Sequence, residues 1–134
     1  MRKKQIVMIL GILTFSSCKV PKNQNQEDNF RDKEKQEWIF AFKSSVFYEC
    51  VKHSGVKIEK DASPSLNFEV LGDFKISSKT DLIGKSYSKI IEDRSAWLKD
   101  GDLDGYKAIT NGCLSFFASR ELDSIANVEF ERSR

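Results

Sequence analysis

A single histidine, His53, stands among 134 residues. Imidazole chemistry therefore has one candidate, and no H-x-x-x-H or C-x-x-C spacing marks a metal centre. Cys50 lies three residues before His53, where a thiol–imidazole pair would share a helical face. No glycine-rich turn or nucleophile elbow surrounds that pair, and His53 falls at a helix end, where a cation meets the negative pole of the dipole. A metal site would need Cys50, His53, Cys113 and a carboxylate to converge without a supporting motif. The expectation is no catalytic residue, no metal and no cofactor. Charge of one sign is lacking too. Arg2, Lys3 and Lys4 leave with the leader described below, so 22 basic residues against 20 acidic become 19 against 20. That balance offers nucleic acid no basic field. Strand alternation bounded by hairpin turns is absent, which argues against a sheet protein. The one long apolar stretch, Ile6 to Phe15, is too short for a transmembrane helix, which takes about 20 residues.

That short stretch has the organisation of a targeting segment. A basic n-region, an apolar h-region and the small residues Ser16 and Ser17 lead directly to Cys18. A cysteine at that position is what bacterial lipoproteins acylate after cleavage. The sequence thus predicts a signal peptide over 1–17, lipidation at Cys18, and a polar tether over 18–32 in "KVPKNQNQEDNFRD". No acidic run follows Cys18, which favours a periplasm-facing site on a Gram-negative envelope membrane. Residues 33–134 form one small domain. In that oxidising compartment the remaining pair, Cys50 and Cys113, favours a disulfide; two buried free thiols are the other reading. A bridge would close a loop of about 60 residues, worth about 4 kcal/mol on a chain-entropy argument.

Apolar spacing predicts an all-α bundle of four to five helices. In the first, from about Lys33 to Ser54, Trp38, Phe42, Val46 and Cys50 recur at steps of four; Phe40, Phe47 and Val51 widen the apolar surface, and Gly55 stops the helix. Such a helix is packed on more than one side. A short helix is expected to open at Ser63–Pro64, with Ser63 as N-cap, and end at Gly72. A third is expected from a capping box at Ser78 and Asp81, burying Leu82, Ile83, Tyr87, Ile90, Ile91 and Leu98, with Gly84 weakening it slightly. The fourth uses Tyr106, Ile109, Cys113 and Phe117, which puts the disulfide between the first and fourth helices. Ser119 caps a fifth, carrying Leu122, Ile125 and Ala126, and "VEFERSR" frays or forms a brief strand.

Between the third and fourth helices lies "DRSAWLKDGDLDGY". It is an acidic interhelical connection, and its glycines and carboxylates also suit a protruding loop that docks into a partner. Its D-x-D-x-D run lacks the glycine position and terminal Glu of an EF-hand. The partner-binding candidates are Trp97, Lys99, Asp100, Asp102, Leu103 and Asp104.

The order "ECVKHSG", "KDAS" and "CLSFFASRELDSIA" resembles the type VI secretion amidase immunity proteins of the fourth Tai group. The matching positions are Cys50, then Asp61, Ala62 and Ser63, then Cys113 with Phe116, Ser119, Glu121 and Leu122, and the likeness covers about 33–130. The resemblance implies a small helical periplasmic homodimer that binds a papain-like peptidoglycan amidase effector and blocks its cleft through a helix and a loop. The assignment of that loop to Lys99–Asp104 rests on its charge and its glycines. The lipid anchor departs from the soluble form expected of the family, yet it would hold an inhibitor against the wall. The competing expectations are a structural or assembly lipoprotein of the envelope, or a small-ligand binder using the aromatic interior.

Overall fold

The computed structural model describes residues 24–94 and 108–134. Within them the chain forms five helices and no strand: α1 (Gln24–His53), α2 (Ser63–Leu71), α3 (Phe74–Arg94), α4 (Ile109–Phe117) and α5 (Arg120–Arg132). The all-α bundle expected from apolar periodicity is what forms. Its centre is α1, which packs against each of the other four helices. The stripe of Trp38, Phe42, Val46 and Cys50 is wholly interior, joined by Ala41 and Val51. Trp38 stacks on Phe42 at 5.4 Å between centroids and meets the edge of Phe130 from α5 at 5.5 Å. Tyr87 of α3 stacks on Phe116 of α4 at 3.7 Å. These aromatics bury large apolar areas, and their offset and edge contacts add to that burial.

Several boundaries differ from the sequence reading. Helix α1 begins at Gln24, so the second half of the expected tether is helical. Once packing has fixed the downstream turns, extending a helix avoids the costly nucleation step. Glu27 in the first turn complements the dipole, and Lys35–Glu131 and Arg134–Glu34 ion pairs at 2.8 and 3.0 Å fasten this extension to the end of α5. The Ser63 hydroxyl is not the cap of α2. Ala62 holds that position, and Asp61 accepts from the Ser63 amide at 2.9 Å and its hydroxyl at 2.6 Å. Pro64 sits in the first turn and Gly72 ends the helix with φ +66°, as expected. There Gly72 donates its N–H to the Phe68 carbonyl at 2.8 Å.

Helix α3 starts four residues before the expected capping box. Asp73 lies directly after the α2 stop and accepts from the Lys75 amide at 2.7 Å, a cap one turn upstream of Ser78. Ser78 instead bonds back to the Phe74 carbonyl. The buried face is also different. Leu82 is 65 % exposed and Ile90 is at the surface, whereas Ile76, Thr80, Gly84, Ser88 and Ile91 face inward. Small side chains at steps of four let α3 lie close to α1, and the Thr80 and Ser88 hydroxyls are satisfied by the Ser77 and Lys85 carbonyls. Leu98 and Tyr106 lie outside the described residues. In α4 the buried aromatic is Phe116, with Phe117 half-buried beside it. Ser119 caps α5 by accepting from the Leu122 amide at 3.1 Å, as its sequence position indicates. The helix then runs to Arg132, because Phe130 is a core residue and holds the last turn in place.

Candidate functional site

Three helices meet around one covalent link. Cys50, late in α1, is bonded to Cys113 of α4 with 5.9 Å between their Cα atoms, and both are fully buried. That separation is within the span a disulfide bridges. On α3, Gly84 lies so close to α1 that a Cβ there would stand 2.6 Å from the Glu49 Cβ and 2.8 Å from the Cys50 amide nitrogen. Gly112, next to Cys113, is as closely opposed by the Ile91 side chain of α3, at 2.8 Å. The expected weakening of α3 by Gly84 thus has a structural return: the glycine is where α1 and α3 cross. Val51 and Ile91 complete this small core.

The bond disposes of the two chemistries a cysteine and a histidine could have shared. Cys50 holds no thiolate, so it forms no nucleophile with His53, and neither sulfur is free for a Cys50–His53–Cys113 metal set. His53 turns instead to α3. Its Nε2 lies 2.8 Å from Asp81 Oδ1 and 3.7 Å from Glu49 Oε2. Lys52 donates to Glu49 at 2.8 Å. The His53 hydrogen bond, chiefly, holds the Asp81 carboxyl below the usual carboxylate range against the opposing effect of burial, and the bond to Glu49 raises Lys52. The spacing Glu49-x-x-x-His53 was a readable signal that both face one way on a helix. That Asp81 joins them depends on the crossing at Gly84, one turn further along α3.

A second feature is apolar and exposed. Phe40 of α1 is 64 % exposed and Leu114 of α4 is 52 % exposed. Between them, Phe117 sets its ring edge-on to Phe40 at 6.1 Å and to Phe47 at 6.2 Å. Lys43 lies over the Phe117 ring at 4.7 Å and pairs with Asp123 of α5 at 2.5 Å. The result is a ledge of three aromatic rings and a leucine, with one paired cation at its margin. Phe40 is exposed while Phe47 and Phe117 are half-buried, and rings joined in this way differ from the scattered apolar residues of an ordinary surface. Phe40 and Phe47 were legible as extra apolar surface on α1; their continuation through Phe117 required the placement of α4.

At the far end, a groove of about 430 Å³ lies between the start of α1 and the end of α5. Its floor is Phe130, flanked by Lys35 at 5.3 Å and Arg134 at 4.5 Å. Asp28, Arg31, Asp32 and Glu131 line it, so its charges are mixed.

Of the residues singled out from sequence, Cys50 and Cys113 are brought together as expected. Cys18 and the loop candidates Trp97, Lys99, Asp100, Asp102, Leu103 and Asp104 lie outside the described residues. No described helix is long and apolar enough to cross a membrane. In class, the described chain is an all-helical domain built round a long central helix, with one interhelical disulfide and a partly exposed aromatic ledge. No protein-family model, curated protein or solved structure matches it.

Proposed function

We propose that this protein acts by binding another protein, and that it is a lipid-anchored periplasmic immunity protein whose partner is a papain-like peptidoglycan amidase delivered by type VI secretion. The observation that carries the binding reading is the aromatic ledge of Phe40, Phe47, Leu114 and Phe117 on a disulfide-held pair of helices. Large rigid aromatics on a preorganised surface are what protein interfaces use as anchors. The Cys50–Cys113 bond joins two of the motifs that carry the likeness to the amidase immunity proteins, and so supports that choice of partner. The domain works without hydrolytic activity of its own, as a homodimer. The ledge supplies apolar contact, and the acidic loop Lys99–Asp104 supplies hydrogen bonds to donors in the amidase cleft.

The test is inhibition of a small secreted Cys/His amidase encoded beside this gene, where one is found. Equimolar protein should abolish muropeptide cleavage, and titration calorimetry should give a saturable complex. Reversing Asp100, Asp102 and Asp104 to Lys should weaken it severely with the circular dichroism spectrum retained. An uninhibited amidase, or the lack of any amidase gene nearby, would turn the reading to an envelope assembly lipoprotein. Unchanged affinity in the folded triple variant would remove the loop from the interface. Palmitate-analogue labelling that is lost in Cys18→Ser tests the anchor separately.

A further inference from the structure

We propose that Glu49, His53 and Asp81 form a zinc-binding site that clamps the end of α1 to α3. Their ligand atoms, one from each residue, all lie within 4.8 Å of one another. His53 Nε2 stands between the two carboxylates, at 2.8 Å from Asp81 and 3.7 Å from Glu49. Around a tetrahedral zinc with bonds of about 2.0–2.2 Å, neighbouring ligand atoms sit roughly 3.4 Å apart. Two of the three separations bracket that value and the third is within 4.8 Å, so side-chain rotation brings the set toward one ion.

The backbone beneath is fixed by what surrounds it. Glu49 and His53 are one turn apart on one helix, an i, i+4 pair able to converge on one ion. Cys50 lies next to Glu49 and is bonded to Cys113, and the Gly84 crossing holds Asp81 opposite them. Charge points the same way. Glu49 and Asp81 each present a carboxylate oxygen to the imidazole, and the ligand atoms of all three residues lie within 4.8 Å of one another. With a neutral ring, Lys52 is the cation paired to them here, and it reaches only Glu49. A divalent ion would neutralise both carboxylates at once.

The donor set narrows the metal. An imidazole with two carboxylates suits zinc among the imidazole-binding transition metals, whereas magnesium and calcium take oxygen ligands alone. Three protein ligands leave a fourth position, and all three side chains are partly open to solvent, so water takes it. Zinc accepts the lone pair of Nε2. The Nε2 proton that bonds Asp81 therefore moves to Nδ1 in a neutral ring, or is released to solvent from a charged one. Glu49, Asp81 and Lys52 are the charged groups that face or flank this ring, and the first two become co-ligands.

The experiment uses the full chain, tag-free, with Cys18→Ser so that no thiol competes. Zinc chloride is titrated in by calorimetry and by proton NMR of the imidazole. Because His53 is the sole histidine, its ring resonances need no assignment. One equivalent should bind, shift those resonances and raise the melting temperature. His53→Ala and Asp81→Asn should each lose affinity by about tenfold or more. Lys52→Ala, which frees Glu49, should bind as well as the parent or better. Circular dichroism and melting without zinc identify any variant that fails to fold, and Glu49→Gln then stands in for it. Unmoved imidazole resonances at excess zinc, unchanged affinity in folded His53→Ala, or equally tight binding of magnesium would each overturn the site.

Discussion

Replacing Gly84 by alanine is expected to destabilise the protein, although the same change in an ordinary helix stabilises it. At an exposed helical site alanine gains about 1 kcal/mol over glycine. At Gly84 the new methyl would meet the Glu49 Cβ at 2.6 Å, the Cys50 nitrogen at 2.8 Å and the Glu49 carbonyl carbon at 2.9 Å. All three atoms are backbone or first side-chain carbon, so no rotamer change removes them. Carbon atoms prefer about 3.5–4.0 Å, so α1 and α3 must part by about 1 Å, and a gap of that size forfeits about half of each dispersion contact at the crossing. The disulfide at Cys50 restrains α1 from moving away independently of α4. Overpacking of this kind costs about 1–3 kcal/mol. Net of the helical gain, we expect a loss of about 1 kcal/mol, reaching about 2 at most, and a melting point lower by about 4–8 °C per kcal/mol in a domain of this size. Thermal and urea melts followed by circular dichroism, with the disulfide intact, measure it. Gly84→Ser should be worse than Gly84→Ala. Gly72 is the control: open space surrounds it, but its φ is +66°, so alanine there should cost about 1 kcal/mol and asparagine less. A Gly84→Ala protein that melts at or above the parent would refute the close crossing of α1 and α3.

Three further outcomes follow from the geometry. Replacing Cys50 and Cys113 together by alanine should cost about 4 kcal/mol in urea unfolding, from the loop the bond closes across 63 residues of separation, and mass spectrometry of the non-reduced protein should find the linked peptides. Glu129 is a buried carboxylate held by Lys79 at 2.5 Å and Arg132 at 3.0 Å; Lys79→Met should destabilise by about 2 kcal/mol because the carboxylate keeps only Arg132, and Glu129→Gln should lose less because it removes the buried charge. The Asp81 carboxyl titrates lower in the folded protein than in the unfolded chain, so its contribution is present above about pH 4 and is lost as the pH falls through its depressed value. The stability difference between parent and Asp81→Asn should therefore vanish in acid; because Asp81 is 42 % exposed, solvent screening keeps that difference below about 1 kcal/mol near neutrality. A difference that grew on acidification would contradict the His53–Asp81 pairing.

The helical class, the stripe of Trp38, Phe42, Val46 and Cys50, the stop at Gly72 and the cap at Ser119 were all legible in the linear order of residues. Each is local: a period of 3.6 residues, a left-handed backbone or a hydroxyl three residues from an amide dictates it without reference to the rest of the chain. The pairing of Cys50 with Cys113 was legible from the even pair of cysteines on apolar faces, given an oxidising compartment. Tertiary structure decided the buried face of α3, because the short side chains of Thr80, Gly84 and Ser88 fit against α1 more closely than Leu82 and Ile90 would. It also decided where α1 begins and where α5 ends, since Lys35–Glu131, Arg134–Glu34 and the Trp38–Phe130 contact join residues about a hundred positions apart. The meeting of His53 with Asp81 and of Phe40 with Phe117 is of the same kind. Periodicity reports which face of a helix is apolar, but the partner that face receives depends on how closely two backbones can approach, and at this crossing Gly84 sets that distance.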